Sequence, residues 1–267
     1  MIIKAKKSLG QNFLKDKKKS EKIVNYVDII STDFVVEIGP GKGNLTEILL
    51  KKAKKVFVIE KDNRLIPFLE KKFLKYIKNK KLEIIEADVL DFNFSDYFKN
   101  KKYKVVANLP YYITGKFISN ILEKEKNQPT ILVLLLQKEV VERIAGKKKI
   151  QKNNILKISI DIYGKVKQGF TVGKKNFSPI PKVDSAVLIV YDISKFFFIK
   201  NNILEKDFFK FIKLAFAQKR KQVINNLKKS FCEKKLKKIF IKLNLPLNIR
   251  AEDLSLKDFK NIFINLF

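Results

Sequence analysis

The sequence predicts an α/β protein in two parts: a mostly parallel sheet with helices on both faces and antiparallel strands at one edge, followed by a small all-α domain. Three observations carry this. Short apolar runs suited to buried strands recur through the first half, with helical patterns between them. Strict apolar alternation replaces them after about residue 150, and beyond Ser194 only helical periodicity is left. At 267 residues, the chain is long enough for one large domain and one small one, expected at 1–194 and 195–267.

The buried strands are expected at Phe34–Ile38, Val56–Ile59, Leu82–Ile85, Val105–Ala107 and Ile131–Leu136. A helix from Leu45 to Ala53 follows the first. Leu65, Phe68, Leu69, Phe73 and Tyr76 share one face of the next, with Pro67 tolerated in its first turn. A further helix is placed at Lys138–Ala145. Two antiparallel edge strands are read from Leu156, Ile158, Ile160 and Ile162 and from Val183, Ser185, Val187, Ile189 and Tyr191. In the last part, Leu236, Ile239, Phe240 and Leu243 form one helical stripe, and Leu256, Phe259, Phe263 and Leu266 another.

Composition excludes several chemistries. The chain has no histidine, which removes Ser-His-Asp and Cys-His catalysis and histidine-ligated metals. One cysteine, Cys232, excludes a disulfide framework or a cysteine-cluster zinc site, and no metal site is expected. The longest plain apolar run, Ile131 to Leu136, is far short of the ~18 residues of a membrane span. The apolar start Met1-Ile2-Ile3 is too short for a signal peptide, so a cytoplasmic location is expected. Net charge is +31, which suits a polyanionic partner. Only four of the 58 basic residues are Arg, however, so part of the excess reads as lysine drift on a solvated surface.

The segment Glu37-Ile38-Gly39-Pro40-Gly41-Lys42-Gly43-Asn44 ends the first strand and opens a helix. Its G-x-G-x-G spacing is neither the G-x-G-x-x-G of dinucleotide sites nor a P-loop. It is the form used by Rossmann-like folds that bind S-adenosylmethionine. Glu60 ends the second strand, placed to accept both hydroxyls of a ribose, and Asp88 ends the third, placed to accept from an exocyclic amine. The fourth strand ends in Asn108-Leu109-Pro110-Tyr111. The Asn108 side-chain carbonyl and a rigid main-chain carbonyl before proline can both accept from an adenine amine, stabilising positive charge as the nitrogen becomes tetrahedral. Tyr111 can stack on a flipped base.

These residues, taken with others along the chain, resemble the small-subunit ribosomal RNA adenine N6,N6-dimethyltransferases. The resemblance runs nearly end to end, through Lys7-Ser8-Leu9-Gly10-Gln11-Asn12-Phe13-Leu14, the glycine segment, Asn108–Tyr111, Phe177–Val187 and Arg250–Ser255. It implies that Asn12, Leu14, Gly39, Glu60, Asp88 and Asn108 bind S-adenosylmethionine. It also implies that Asn108 holds the target amine, and that Tyr111 and Phe177 sandwich the target base. It implies a pre-30S small-subunit particle as substrate and a monomer as the acting form. One departure is the segment Gly146–Asn154, which lacks the tyrosine such proteins carry there.

Two basic clusters stand out from the lysine background. Lys219, Arg220 and Lys221 open a helix in the small domain, and Lys4, Lys6 and Lys7 lie on an N-terminal arm expected to be mobile. Both are expected to fix the phosphate backbone of RNA without reading sequence. Two other functions fit the same fold: a large-subunit rRNA adenine methyltransferase conferring macrolide resistance, and a nucleic-acid-binding assembly or transcription factor that has lost catalysis. Leu9-Gly10, Leu109 and the Arg250–Ser255 segment favour the small-subunit branch, and intact Glu60, Asp88 and Asn108 favour an enzyme.

Overall fold

In the computed structural model, which describes residues 4–99, 101–146 and 152–267, the chain divides into two units. The first joins Met1–Gly146 with Gly164–Ile193, and the second joins Lys147–Tyr163 with Ser194–Phe267. No described helix is long and apolar enough to cross a membrane.

The first unit contains strands β1 (Phe13–Leu14), β2 (Phe34–Ile38), β3 (Lys55–Glu60), β4 (Leu82–Glu86), β5 (Tyr103–Asn108), β6 (Ile131–Gln137), β7 (Lys165–Val172), β8 (Phe177–Ser178) and β9 (Ser185–Tyr191). Helices α1 (Lys17–Asn25), α2 (Asn44–Lys52), α3 (Ile66–Lys78), α4 (Phe94–Phe98), α5 (Thr114–Ser119) and α6 (Lys138–Ala145) lie between them. The main sheet has the order β4-β3-β2-β5-β6-β9-β7. Pairing is parallel from β4 to β6, and β9 runs antiparallel to both its neighbours. The order reverses between β2 and β5, where an open α/β sheet forms its ligand crevice.

The parallel strands are buried on both faces, which is why they read as unbroken apolar runs. On one face, Val35, Val56, Val58, Val106, Val133 and Leu135 pack with Leu45, Leu49 and Leu69 of the flanking helices. On the other, Phe57 meets Phe98 at 5.0 Å between ring centroids, and Phe98 stacks on Tyr103 at 4.6 Å. All five expected parallel strands form, and Pro67 falls in the first turn of α3.

The edge differs from expectation. Leu156–Ile162 is not a strand; Ile155–Asp161 is helix α7. Asn154 caps it by accepting from Lys157 N at 3.0 Å, and Lys157 pairs with Asp161 at 2.6 Å across one helical turn. These local bonds, with burial of Ile158, Ser159 and Ile160, outweigh a four-residue alternation. The edge strand is instead β7, whose mixed Lys-Val-Lys-Gln-Gly sequence suits a half-exposed position beside β9.

The second unit therefore takes in α7 as well as α8 (Phe196–Asn201), α9 (Glu205–Ala215), α10 (Val223–Leu227), α11 (Glu233–Lys242) and α12 (Leu256–Leu266). Its core is phenylalanine-rich: Phe208 and Phe211 of α9 meet Phe263 of α12 at 5.4 and 5.5 Å. Ser255 and Asp258 form a reciprocal capping box at the start of α12. Of the divergent segment Gly146–Asn154, residues 147–151 lie outside the described residues.

Candidate active site

The strand ends at the reversal point surround a cavity of about 150 Å³. Gly39 lines it from β2, Glu60 and Lys61 from β3, Asp88 from the chain after β4, and Asn108, Tyr111 and Tyr112 from β5 and beyond; Gly10, Gln11, Asn12 and Phe13 close it from the N-terminal side. Residues dispersed over a hundred positions meet here because parallel strands present their C-terminal ends together.

Gly39 has φ +63°, and the nearest atom to a Cβ built there is Asn108 O at 3.9 Å. Any side chain would therefore be strained and would fill cavity space, which is what a site for close main-chain approach requires. Gly41 (φ +56°) is needed for a second reason: its Cβ would meet the Phe13 ring at 2.8 Å, so the aromatic of β1 lies directly on the glycine turn. The left-handed backbone and the paired acids fit the methionine, ribose and adenine portions of S-adenosylmethionine.

Glu60 is buried and accepts from Asp62 N at 2.8 Å. Burial pushes its carboxyl above the usual range, against the hydrogen bonds from the Asp62, Gly41 and Lys61 main chain. Asp88 accepts from Leu90 N at 2.9 Å and from Lys61 Nζ at 2.6 Å. Burial opposes its ionisation, but the Lys61 bond, the Leu90 N–H and the nearby positive charge of Lys61 and Lys116 outweigh it and hold the carboxyl low. The carboxylate expected to meet an adenine amine thus already carries a partner, Lys61, that sequence reasoning did not single out.

Asn108 donates through Nδ2 to the carbonyl of Asn12 at 3.0 Å. That bond fixes the amide and leaves Oδ1 as its accepting end. Tyr111 is held through its hydroxyl, 3.0 Å from Ser185 Oγ on β9. Ser185 alternates with apolar neighbours and carried no sign of this role. Burial raises the Tyr111 hydroxyl above its usual range despite the Ser185 bond.

Two expected site residues stand elsewhere. Phe177 is 1% exposed and belongs to the hydrophobic core with Leu14 and Val187; it does not line the cavity. The pairing Leu14↔Phe177 and Phe13↔Ser178 turns Phe177 inward and Ser178 outward, so the expected sandwich with Tyr111 is not formed in this structure. Leu14 itself lines a smaller adjoining cavity of about 30 Å³ beneath the glycine turn. The aromatics that line the main cavity beside Tyr111 are instead Phe13 and Tyr112, the latter 65% exposed.

In the second unit, Lys219, Arg220 and Lys221 are exposed on the turn before α10. Buried Asn226 shapes that turn by donating to Ala215 O at 2.7 Å and Gln218 O at 3.2 Å.

The sheet order and the acids at its crevice suit a methyltransferase that uses S-adenosylmethionine, and the family match shows that class. A family model described as ribosomal RNA adenine dimethylase matches residues 2–266, and the chain belongs to that family. It is 38% identical over 264 residues to the ribosomal RNA small subunit methyltransferase A of Mycoplasma mobile, covering 98% of each chain. It is 42% identical over 266 residues to the protein of the same name from Mycoplasmopsis synoviae, covering 98% of this chain and 97% of that one. Among solved structures, a dimethyladenosine transferase from Plasmodium falciparum superposes with a TM-score of 0.78 at 28% identity, over 94% of this chain and 95% of that one. The 23S rRNA methyltransferase ErmE, at 20% identity and a TM-score of 0.74 over 96% of this chain and 99% of that one, shares the fold.

Proposed function

We propose that this protein dimethylates N6 of two adjacent adenosines in the 3′-terminal hairpin of small-subunit (16S) rRNA, using S-adenosylmethionine. In this reading it works as a monomer on a pre-30S particle in the cytoplasm. The observation that carries the chemistry is the orientation of Asn108, whose Nδ2 is committed to Asn12 O at 3.0 Å beside the cavity walled by Glu60 and Asp88. The choice of the small subunit is supported by curated relatives that bear that name and align over nearly the whole chain.

The bound donor supplies an electrophilic methyl group on sulfonium. Glu60 holds the ribose and Asp88 the adenine of that donor, while Gly39 allows close approach of its amino-acid end. Asn108 Oδ1 and the Leu109 carbonyl accept the two N–H bonds of the target amine and aim its lone pair at the methyl. Both acceptors are preorganised, so they stabilise charge building on nitrogen without reorganising. Tyr111 stacks on the flipped base. No side chain here is needed as a strong base, and the amine proton leaves to solvent after transfer. Lys219, Arg220 and Lys221 hold phosphates, and the pocket selects the base.

The test is transfer of tritiated methyl from S-adenosylmethionine to undermethylated small and large subunits in parallel. Label in small-subunit rRNA is expected; label confined to large-subunit rRNA contradicts the reading, as does binding of either subunit with no label.

A further inference from the structure

Asp62 forms no part of the cavity wall, yet it ties the N-terminal segment to the chain that follows β3. Its side chain is almost fully buried. Oδ2 accepts from Gln11 Nε2 at 2.8 Å and from Arg64 Nη2 at 2.6 Å, and Oδ1 accepts from Arg64 Nε at 2.8 Å. Its own main-chain N–H donates to Glu60 Oε1 at 2.8 Å. The bidentate Arg64 bond holds the carboxyl down to about 2, so Asp62 is a permanent anion at any working pH.

Gln11 extends this chain of contacts. Its Oε1 accepts from Lys6 N at 2.8 Å, which closes Lys6–Gln11 into a loop, and Leu9 to Phe13 wall the cavity. At its far end the same segment is fastened at two places: Asn12 O accepts from Asn108 on the target side, and the Phe13 ring lies on Gly41 of the glycine turn. On the ribose side, Gln11–Asp62 is its side-chain fastening among the described residues. One residue therefore sets the Glu60 turn through its main-chain N–H and anchors the segment that covers the cavity through its carboxylate.

We propose that Asp62 is a positioning residue that latches the N-terminal segment Lys6–Phe13 over the bound cofactor through Gln11, so that cofactor binding and closure of this segment are one coupled event. This rests on the methyltransferase reading of the cavity. Because the segment begins beside Lys4 and Lys6, the latch also links cofactor occupancy to the arm expected to meet RNA.

The test uses S-adenosylhomocysteine as the probe, with the full chain as wild type, Asp62→Ala, Gln11→Leu and the double variant. Affinity is read by calorimetry, and hydrogen exchange of residues 6–14 is read with and without the probe. Each single change is expected to weaken binding about tenfold, the scale of a hydrogen bond to a charged group. The double variant is expected to be no weaker than the weaker single one, because both changes break the same contact. In the wild type the probe slows exchange across residues 6–14, and in Gln11→Leu, which leaves the Asp62–Arg64 pair intact, that slowing is lost. Wild-type affinity and protection in Gln11→Leu overturn the proposal, as do additive losses in the double variant. Failure of the wild type to bind the probe contradicts the methyltransferase reading itself.

Discussion

Asn108 and Asn12, 96 residues apart, meet through a 3.0 Å hydrogen bond from Nδ2 of the first to the main-chain carbonyl of the second. The bond decides which end of the Asn108 amide faces the reaction. An unrestrained amide could present NH₂ to an incoming amine, donor against donor; here the donor end is occupied and the acceptor end is offered.

Asn108→Ala is expected to lower the methylation rate at saturating substrate by at least a hundredfold, about 2.7 kcal/mol, while RNA affinity changes little. Single-turnover rates and filter binding on the same particles check this. Equal losses in both would make Asn108 a docking residue.

Glu60→Ala should weaken S-adenosylmethionine binding by about 1–3 kcal/mol, the range for hydrogen bonds to an ionised acceptor. The change also leaves the buried main-chain N–H of Asp62 without its acceptor, so a stability loss is expected alongside and is read by denaturant unfolding. Calorimetry on the folded variant reads the affinity, and an unchanged value removes Glu60 from the cofactor site.

Most of this site was legible in the sequence because it lies at the ends of strands whose burial makes them unmistakable. Gly39, Glu60, Asp88 and Asn108 each follow an apolar run, and the parallel sheet does the rest. What escaped depends on contacts between distant segments. Ser185 gives no hint that it holds Tyr111, nor Lys61 that it pairs with Asp88, because neither has a local pattern that differs from an ordinary strand or loop residue. Phe177 reads equally well as a base-stacking ring or as core, and only the register of β1 on β8 turns it inward. Leu156–Ile162 failed for a different reason. Over four apolar positions a period of two fits as readily as a helical face, and the Asn154 cap with the Lys157–Asp161 pair decides for the helix.

Glu37, buried beneath the glycine turn, accepts from Thr46 Oγ1 at 2.5 Å, and burial pushes its carboxyl up to about 8 although that bond opposes the shift. The folded chain thus keeps a proton that the unfolded chain releases near 4.5. Its stabilising contribution is complete below that value and is lost as pH rises toward about 8, with a slope of at most about 1.4 kcal/mol per pH unit. Denaturant unfolding from pH 5 to 8.5 should show the wild type losing more stability than Glu37→Gln, which cannot ionise. Parallel curves would mean that Glu37 holds no proton.

Neutralising Lys219, Arg220 and Lys221 together should weaken binding to the small subunit and flatten its salt dependence by roughly 2–3 units of log K per log salt, as for three lost phosphate contacts. The same change at Lys51, Lys52 and Lys54, also exposed, serves as the control for general lysine drift. Binding measured over a salt series should separate the two variants. Indistinguishable slopes would reduce the +31 charge to a surface habit.

The central claim is that the cavity bounded by Gly39, Glu60, Asp88 and Asn108 dimethylates adenine in small-subunit rRNA. Its most direct test is mass spectrometry of nuclease fragments from undermethylated small subunits after incubation with S-adenosylmethionine and either the wild type or Asn108→Ala. The account predicts N6,N6-dimethyladenosine at two adjacent positions of the 3′-terminal hairpin with the wild type, and unmodified adenosine there with the variant. Full dimethylation by Asn108→Ala, or an unmodified hairpin after treatment with the wild type, would contradict it.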